Sequence, residues 1–300
     1  MKVGYISIVG KPNVGKSTLM NDIFKKNISI VTPKAQTTRD SILGVYNDAD
    51  SQIVFLDTPG IHQSKDSLNS MMNKSTYNSI RSSDIALLIL DASHKFDKND
   101  QYLFDRLKFD MPLIVVFNKI DLTNVILIEK LKDEIRKIYP NLKEIIEISA
   151  KDGFNIEYLI SRLKIYLPDG EKFYSEDYKN ENQKFLISEI IRKNILFLLK
   201  DEIPHSVFVK VKDMEEKSKE VIIDAKIIVE KDSQKGIVIG KSGNMIKKIG
   251  IKSREELEVE LKKHVVLNLL VGVEKNWKNN EKFLINNGVD KIKWRKKDWF

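Results

Sequence analysis

The sequence predicts an α/β domain, doubly wound around a mostly parallel sheet, followed by a smaller α+β domain. Three observations lead there. The 300 residues exceed the usual span of one core, so two domains are expected. In the first half, short apolar runs alternate with longer helical patterns, the signature of repeated βα units. In the second half the order changes to α-β-β-α-α-β, with a glycine pair between its last two helices.

The first half has five apolar runs, at residues 3–9, 53–56, 85–90, 113–117 and 145–148. They are β-branched and continuously apolar, which suits strands buried on both faces. Helical patterns fall at 17–24, 67–81, 98–108, 125–139 and 155–167, and residues 41–47 read as an added antiparallel edge strand. The expected boundaries are 1–168 for this domain and 169–182 for a polar linker. The second domain is expected at 183–274, and a basic, aromatic tail with Trp277, Trp294 and Trp299 at 275–300. Within the second domain a helix is expected at 183–200, strands at 206–211, 221–229 and 265–273, and two short helices around the glycines.

Composition removes several function classes. The chain has no cysteine, which excludes disulfides, thiolate metal sites and a cysteine nucleophile, and fits a reducing, cytoplasmic compartment. Its apolar runs fall short of the roughly 18 residues that span a bilayer, and the N-terminus does not read as a secretion signal. Residues 1–234 are electrically balanced, so the whole net charge of +8 lies in residues 235–300. Between Lys235 and Arg254 there are six basic residues and no acidic one, a field that attracts a polyanion. The four histidines, His62, His94, His205 and His264, sit in no nucleophile elbow, which removes a Ser-His-Asp hydrolase.

Gly10-Lys11-Pro12-Asn13-Val14-Gly15-Lys16-Ser17 satisfies G-x-x-x-x-G-K-[ST] between a predicted strand and a predicted helix, the context that the motif requires. Such a turn offers successive N–H groups and a helix N-terminus to phosphate, with Thr18 following it. Lys16 is expected at the β- and γ-phosphates and Ser17 on Mg²⁺. Asp57-Thr58-Pro59-Gly60 closes the second run, where Asp57 would contact Mg²⁺ through water and Gly60 would offer its N–H to the γ-phosphate. Asn118-Lys119-Ile120-Asp121 ends the fourth run, and Asp121 can accept from N1–H and the 2-amino group of guanine. Adenine lacks donors at those positions, so a buried acceptor would reject it. Ser149-Ala150-Lys151 is placed to support the base. In Gln36-Thr37-Thr38-Arg39-Asp40 one threonine could complete the Mg²⁺ shell, and Thr38 is preferred to Thr37.

With these elements in chain order, the first half resembles the translation-factor-related class of small P-loop GTPases. The resemblance implies GTP and GDP as ligands, Mg²⁺, hydrolysis by an in-line water, and Lys16, Thr38 and Gly60 as the residues acting on the γ-phosphate. Where Ras-like proteins place the water-orienting glutamine, this chain has Ile61, so low intrinsic turnover is expected. Relatives lacking the glutamine can use a monovalent cation near a P-loop asparagine. Asn13 matches that position, which leaves K⁺ stimulation an open alternative.

In the second half, Gly240-Lys241-Ser242-Gly243 lies between helical patterns within the most basic window and resembles the Gly-x-x-Gly of a KH domain. Its glycines let a nucleic-acid backbone approach, while Lys241, Lys247, Lys248 and Arg254 meet phosphates. The two halves together resemble the bacterial Era GTPases, whose second domain is a type II KH domain, across nearly the whole chain. The most specific residues are 10–18, 36–39, 202–206 and 236–250. That resemblance implies the 3′ end of 16S rRNA in the assembling 30S subunit as partner and a role in 16S rRNA processing; a monomer is expected. For the tail, single-stranded RNA, the domain's own core and the inner face of the cell membrane stay open, because Lys beside Trp suits each.

Overall fold

The structure is a computed structural model and describes residues 1–26, 42–60, 66–98, 100–101, 104, 107, 109–175, 183–199, 203, 206–287 and 289. Its first domain is a six-stranded sheet in the order β2-β3-β1-β4-β5-β6. The strands are β1 Lys2–Val9, β2 Ile42–Asn47, β3 Ser51–Asp57, β4 Ile85–Asp91, β5 Leu113–Asn118 and β6 Glu144–Glu147. Five run parallel, and β2 alone pairs antiparallel, on β3. Alternate residues of one strand serve opposite layers. On β4, Leu87 and Ile89 pack with Leu19, Met20 and Leu159, whereas Leu88 and Leu90 pack with Ile128, Leu131 and Ile135. The covering helices are α1 Lys16–Phe24, α2 Ser67–Ser82, α3 Val125–Ile138 and α4 Ile156–Tyr166. The helical pattern at 98–108 is described only in part, with residues 98, 100, 101 and 104 helical.

The chain between the domains is not a free spacer up to residue 175. Gln52, wholly buried on β3, accepts from Phe173 N (2.7 Å) and Tyr174 N (3.0 Å) and donates to Tyr174 O (2.8 Å). One amide side chain thus imitates a neighbouring strand, and the Phe173 ring packs on Tyr5 at 4.9 Å.

The second domain has α5 Gln183–Leu198, β7 Phe208–Glu216, β8 Glu220–Val229, α6 Asp232–Ile239, α7 Asn244–Leu261 and β9 His264–Val273. The sheet order is β7-β8-β9, antiparallel then parallel. Val221, Ile223, Ala225 and Ile227 face the helices, while Ile228 faces the opposite layer. Two expectations are corrected here. β7 runs on to Glu216 through an irregularity between Val211 and Asp213, because Lys210 and Glu215 can face water on an open layer. The helix after the glycines is not short: α7 has 18 residues, since Ile249, Ser253 and Leu257 repeat a buried stripe at helical spacing.

Trp277 is wholly buried, docked not in the second domain's main core but in a separate cluster beside it that α2 of the first domain shares. Its Nε1 donates to Ser206 O at 3.1 Å, and its ring meets Phe208 and Phe283. The short helix α8, Glu281–Asn286, adds Leu284 to this cluster, and α2 of the first domain adds Leu68 and Met72. Ser67 N also donates to Asn279 Oδ1 at 3.1 Å. Trp294 and Trp299 lie outside the described residues.

Candidate functional site

The sheet's strand order reverses at β1, with β3 on one side and β4 on the other, and ligands of such sheets bind beyond the carboxyl ends of the strands there. Every described nucleotide element falls at those ends. Gly10 follows β1, Asp57 ends β3, Asn118 ends β5, and Ser149 lies just past β6.

The phosphate turn is shaped by close approach. Gly15 has φ 100°, and a Cβ on it would lie 2.1 Å from Asn118 Nδ2, so neither conformation nor space admits a side chain. Gly60 is packed on Pro12, where a Cβ would meet Pro12 N at 2.8 Å. Lys16 Nζ donates to Gly10 O (3.0 Å) and Lys11 O (2.8 Å), holding the turn closed around its own ammonium. Burial pushes that ammonium down from 10.5 to about 8, against the opposing pull of Asp57. Ser17 Oγ donates to Asp57 Oδ2 at 3.1 Å, which brings together the two described groups expected on Mg²⁺. A hydroxyl and a carboxylate are hard oxygen donors, and Mg²⁺ takes few protein ligands beside phosphate and water, so the residues fit that ion. Thr58 Oγ1 donates to Ile8 O (2.7 Å) and Thr76 Oγ1 to Pro59 O (3.2 Å), which pins the Asp57–Gly60 turn to β1 and α2. Thr37, Thr38, Ile61 and His62 lie outside the described residues.

Asn118 joins the phosphate and base loops. Its Nδ2 donates to Val14 O at 2.8 Å and its Oδ1 accepts from Ala150 N at 2.9 Å. Ser149 Oγ lies 2.8 Å from both Asp121 Oδ1 and Asp152 Oδ2, so one hydroxyl proton serves two carboxylates and orients Asp121. Ser149 and Phe154 exchange two backbone hydrogen bonds that close the loop after β6, with Lys151 exposed on it. Lys119 Nζ donates to Asp91 Oδ2 at 2.6 Å. Burial opposes ionisation of Asp91, yet hydrogen bonds from Lys119 and Ser93 outweigh it and hold the carboxyl below its usual range. Asp91 and Asp152 were missed in the sequence because neither belongs to a spaced motif. Their only signal is position, one at a strand end and one just after Ser149-Ala150-Lys151.

The second domain carries an open groove of about 450 Å³ between α7 and β9. Ile246, Ile251, Leu267 and Leu269 line it, and Lys247 and Arg254 stand beside them. The Gly240–Gly243 turn enters α7, with both glycines at φ 75° and Ser242 at φ 52°. Lys241, Ser242, Lys247, Lys248 and Arg254 are all exposed. The apolar walls could be found in the sequence only by combining the strand period of 264–273 with the helix period of 246–254.

A doubly wound sheet with a glycine-lysine turn after its first strand, a strand-end aspartate and an Asn-Lys-x-Asp loop defines a P-loop GTPase, here joined to a domain with KH topology. The family profile described as a 50S ribosome-binding GTPase matches residues 5–119, and that of the KH domain matches residues 202–278. GTPase Era of Caldanaerobacter subterraneus subsp. tengcongensis is 41% identical over 287 residues, covering 94% of this chain and 96% of that protein. GTPase Era of Staphylococcus haemolyticus is 42% identical over 286 residues, covering 94% and 95%. The chain belongs to the GTPase Era family. Two solved structures agree along the length of the chain. A tyrosine-to-alanine variant of Aquifex aeolicus Era bound to GDP and AlF₄⁻ superposes with TM-score 0.90 at 38% identity, covering 96% of this chain and 99% of that one. Era in complex with MgGDPNP and nucleotides 1506–1542 of 16S ribosomal RNA superposes with TM-score 0.91, at the same identity and coverage.

Proposed function

We propose that the chain is a GTP-hydrolysing switch that binds 16S rRNA near its 3′ end and acts in 16S rRNA processing and 30S subunit biogenesis. The observation that carries this reading is the pairing, in one chain, of the guanine loop at Asn118, Asp121 and Ser149 with the open α7–β9 groove. That groove has apolar walls for unstacked bases and cations for the backbone. The Era structure holding both MgGDPNP and a 16S rRNA fragment aligns with 96% of this chain, and we extend those ligands to the corresponding domains.

In this reading Asp121 accepts from the guanine N1–H and 2-amino groups, and Asn118 holds the base loop against the phosphate turn. Water attacks the γ-phosphorus in line, the bond to the β–γ bridging oxygen breaks, and GDP, phosphate and a proton leave. Lys16 moves from the carbonyls of Gly10 and Lys11 to the phosphate oxygens, and the Gly60 N–H meets the γ-phosphate. Ser17 and Thr38, with Asp57 through water, would hold Mg²⁺, which would supply positive charge to the phosphates. Ile61 cannot orient the attacking water, so turnover by the protein alone is slow, and a K⁺ ion near Asn13 stays the open alternative for raising it. The protein is read as a cytoplasmic monomer. No helix among the described residues is long and apolar enough to cross a membrane.

The test is a titration of single-stranded RNA matching the 16S 3′ end against protein bound to GDP or to a non-hydrolysable GTP analogue. Gly243→Asp is the discriminating variant, because nothing lies within 4 Å of a Cβ there and aspartate tolerates positive φ better than most residues. Tighter binding with the GTP analogue, lost in Gly243→Asp, supports the coupled switch. Equal affinity in both nucleotide states leaves two independent modules. Absence of RNA binding, together with capture on anionic vesicles, moves the basic surface to the membrane.

A further inference from the structure

Lys11 belongs to the phosphate turn, yet its ammonium points away from it. Nζ lies 2.8 Å from Asp100 Oδ1 and 3.3 Å from Asp97 Oδ1. Both carboxylates are themselves fixed by backbone: Asp97 N donates to Asp100 Oδ2 (3.0 Å) and Asp100 N donates to Asp97 Oδ1 (2.9 Å). This reciprocal pair opens the helical segment after β4, whose first turn is closed by Gln101 N donating to Asp97 O at 3.0 Å. The Asp100 side chain is 11% exposed and that of Lys11 24%. Such partly desolvated charges, one of them locked by a cap, are screened less than a surface pair.

The same short stretch of turn is gripped from two further directions. The Lys11 carbonyl accepts from Lys16 Nζ, and Pro12 is in close contact with Gly60. A displacement of Lys11 therefore moves two groups that face the terminal phosphate, the ammonium of Lys16 and the backbone of Gly60. The amides from Val14 to Ser17, where a β-phosphate would sit, are held separately by the Asn118 bond to Val14 O and by α1.

We propose that the Lys11–Asp100 ion pair, buttressed by Asp97, is a positioning device for the γ-phosphate side of the site. It sets the Lys11 peptide on which Lys16 rests and the Pro12–Gly60 contact. Its effect is a preference for GTP over GDP and a faster hydrolytic step, both exerted through Lys16 and Gly60. Asp100 and Lys11 thereby enter the set of residues that tune hydrolysis without touching the nucleotide. The proposal rests on the GTP-hydrolysing reading of this domain.

The experiment uses the full chain as Asp100→Asn, Lys11→Ala, Lys11→Arg and the double variant Lys11→Ala/Asp100→Asn. Asparagine at 100 keeps an acceptor for Asp97 N–H, removes the charge and turns an NH₂ rather than an oxygen toward Lys11. Affinities for labelled GDP and for a labelled non-hydrolysable GTP analogue are measured with single-turnover hydrolysis. Asp100→Asn is expected to weaken the analogue and slow hydrolysis by about tenfold each, the scale of one partly buried pair, with GDP affinity within about twofold. Lys11→Ala reproduces the analogue loss, the double variant is no worse than either single one, and Lys11→Arg restores the ratio. Equal weakening of GDP and analogue would mean a merely structural contact and overturn the proposal, as would an unchanged ratio in all variants. If the unaltered chain does not hydrolyse GTP, the hydrolytic reading fails. The analogue-to-GDP affinity ratio still decides the positioning claim.

Discussion

Replacing Asn118 by alanine tests the strongest structural link in the nucleotide site. The side chain is 2% exposed and makes two hydrogen bonds, to Val14 O (2.8 Å) and from Ala150 N (2.9 Å). Alanine leaves both backbone groups buried without that partner. At ~1–3 kcal/mol for each unsatisfied group the sum is ~2–6 kcal/mol. Taking the lower half of that range gives about 3 kcal/mol. A domain of this size loses ~2–4 °C per kcal/mol, so the first domain's Tm should fall by about 6–12 °C. Differential scanning calorimetry of the full chain reads this directly, and the transition that GDP raises is that of the first domain. Because the P-loop and base loop then move independently, GDP affinity should drop by about a hundredfold, ~2.7 kcal/mol. Asn118→Asp should fall at least as far, since a carboxylate oxygen would replace the amide donor facing the Val14 carbonyl. A Tm loss under about 3 °C with GDP affinity within threefold would refute the claim that Asn118 couples the two loops.

Three further outcomes are expected. Burial holds Lys16 near 8 rather than 10.5, whereas the unfolded chain keeps its proton up to the higher value. The unfolded state therefore binds more protons between those two values, so this group's penalty is fully present below about pH 8 and fades as pH rises through that window. A bound phosphate restores the charge, so GDP binding near pH 9 should take up protons, and the uptake should shrink toward pH 8. Calorimetry in buffers of different protonation enthalpy measures this, and buffer-independent heats at the higher pH would contradict it. Gln52→Ala removes three hydrogen bonds to residues 173 and 174 and should speed limited proteolysis between residues 169 and 182 by at least tenfold, read by mass spectrometry. Trp277→Ala empties a wholly buried site between β7, α8 and α2 and should destabilise the second domain by ~3–5 kcal/mol in urea titrations; a loss under ~1 kcal/mol would mean the cluster is dispensable.

Much of the site was legible because its chemistry is local. Gly10 to Ser17 is one continuous turn, and the Asp57, Asn118 and Ser149 elements each end an apolar run, so spacing along the chain reports on place in the fold. Likewise Gly240 to Gly243 announces itself by glycines inside a basic window. Side chains that act from a distance left no such mark. Asp91 reaches Lys119 across 28 positions and Asp100 reaches Lys11 across 89, and each alone reads as a solvated loop acid.

The sequence by itself determined the two domain types, the phosphate and guanine elements, and the basic character of the second domain, since these follow from period, spacing and charge within short windows. Only the tertiary structure decided where Lys11 points, that Gln52 ties the linker to β3, and that Trp277 is buried against α2 rather than presented to RNA or lipid. Those outcomes depend on which surfaces the packed sheet and helices bring together. A buried polar atom or indole takes the partner that lies within reach after folding, and its neighbours along the chain do not specify that partner.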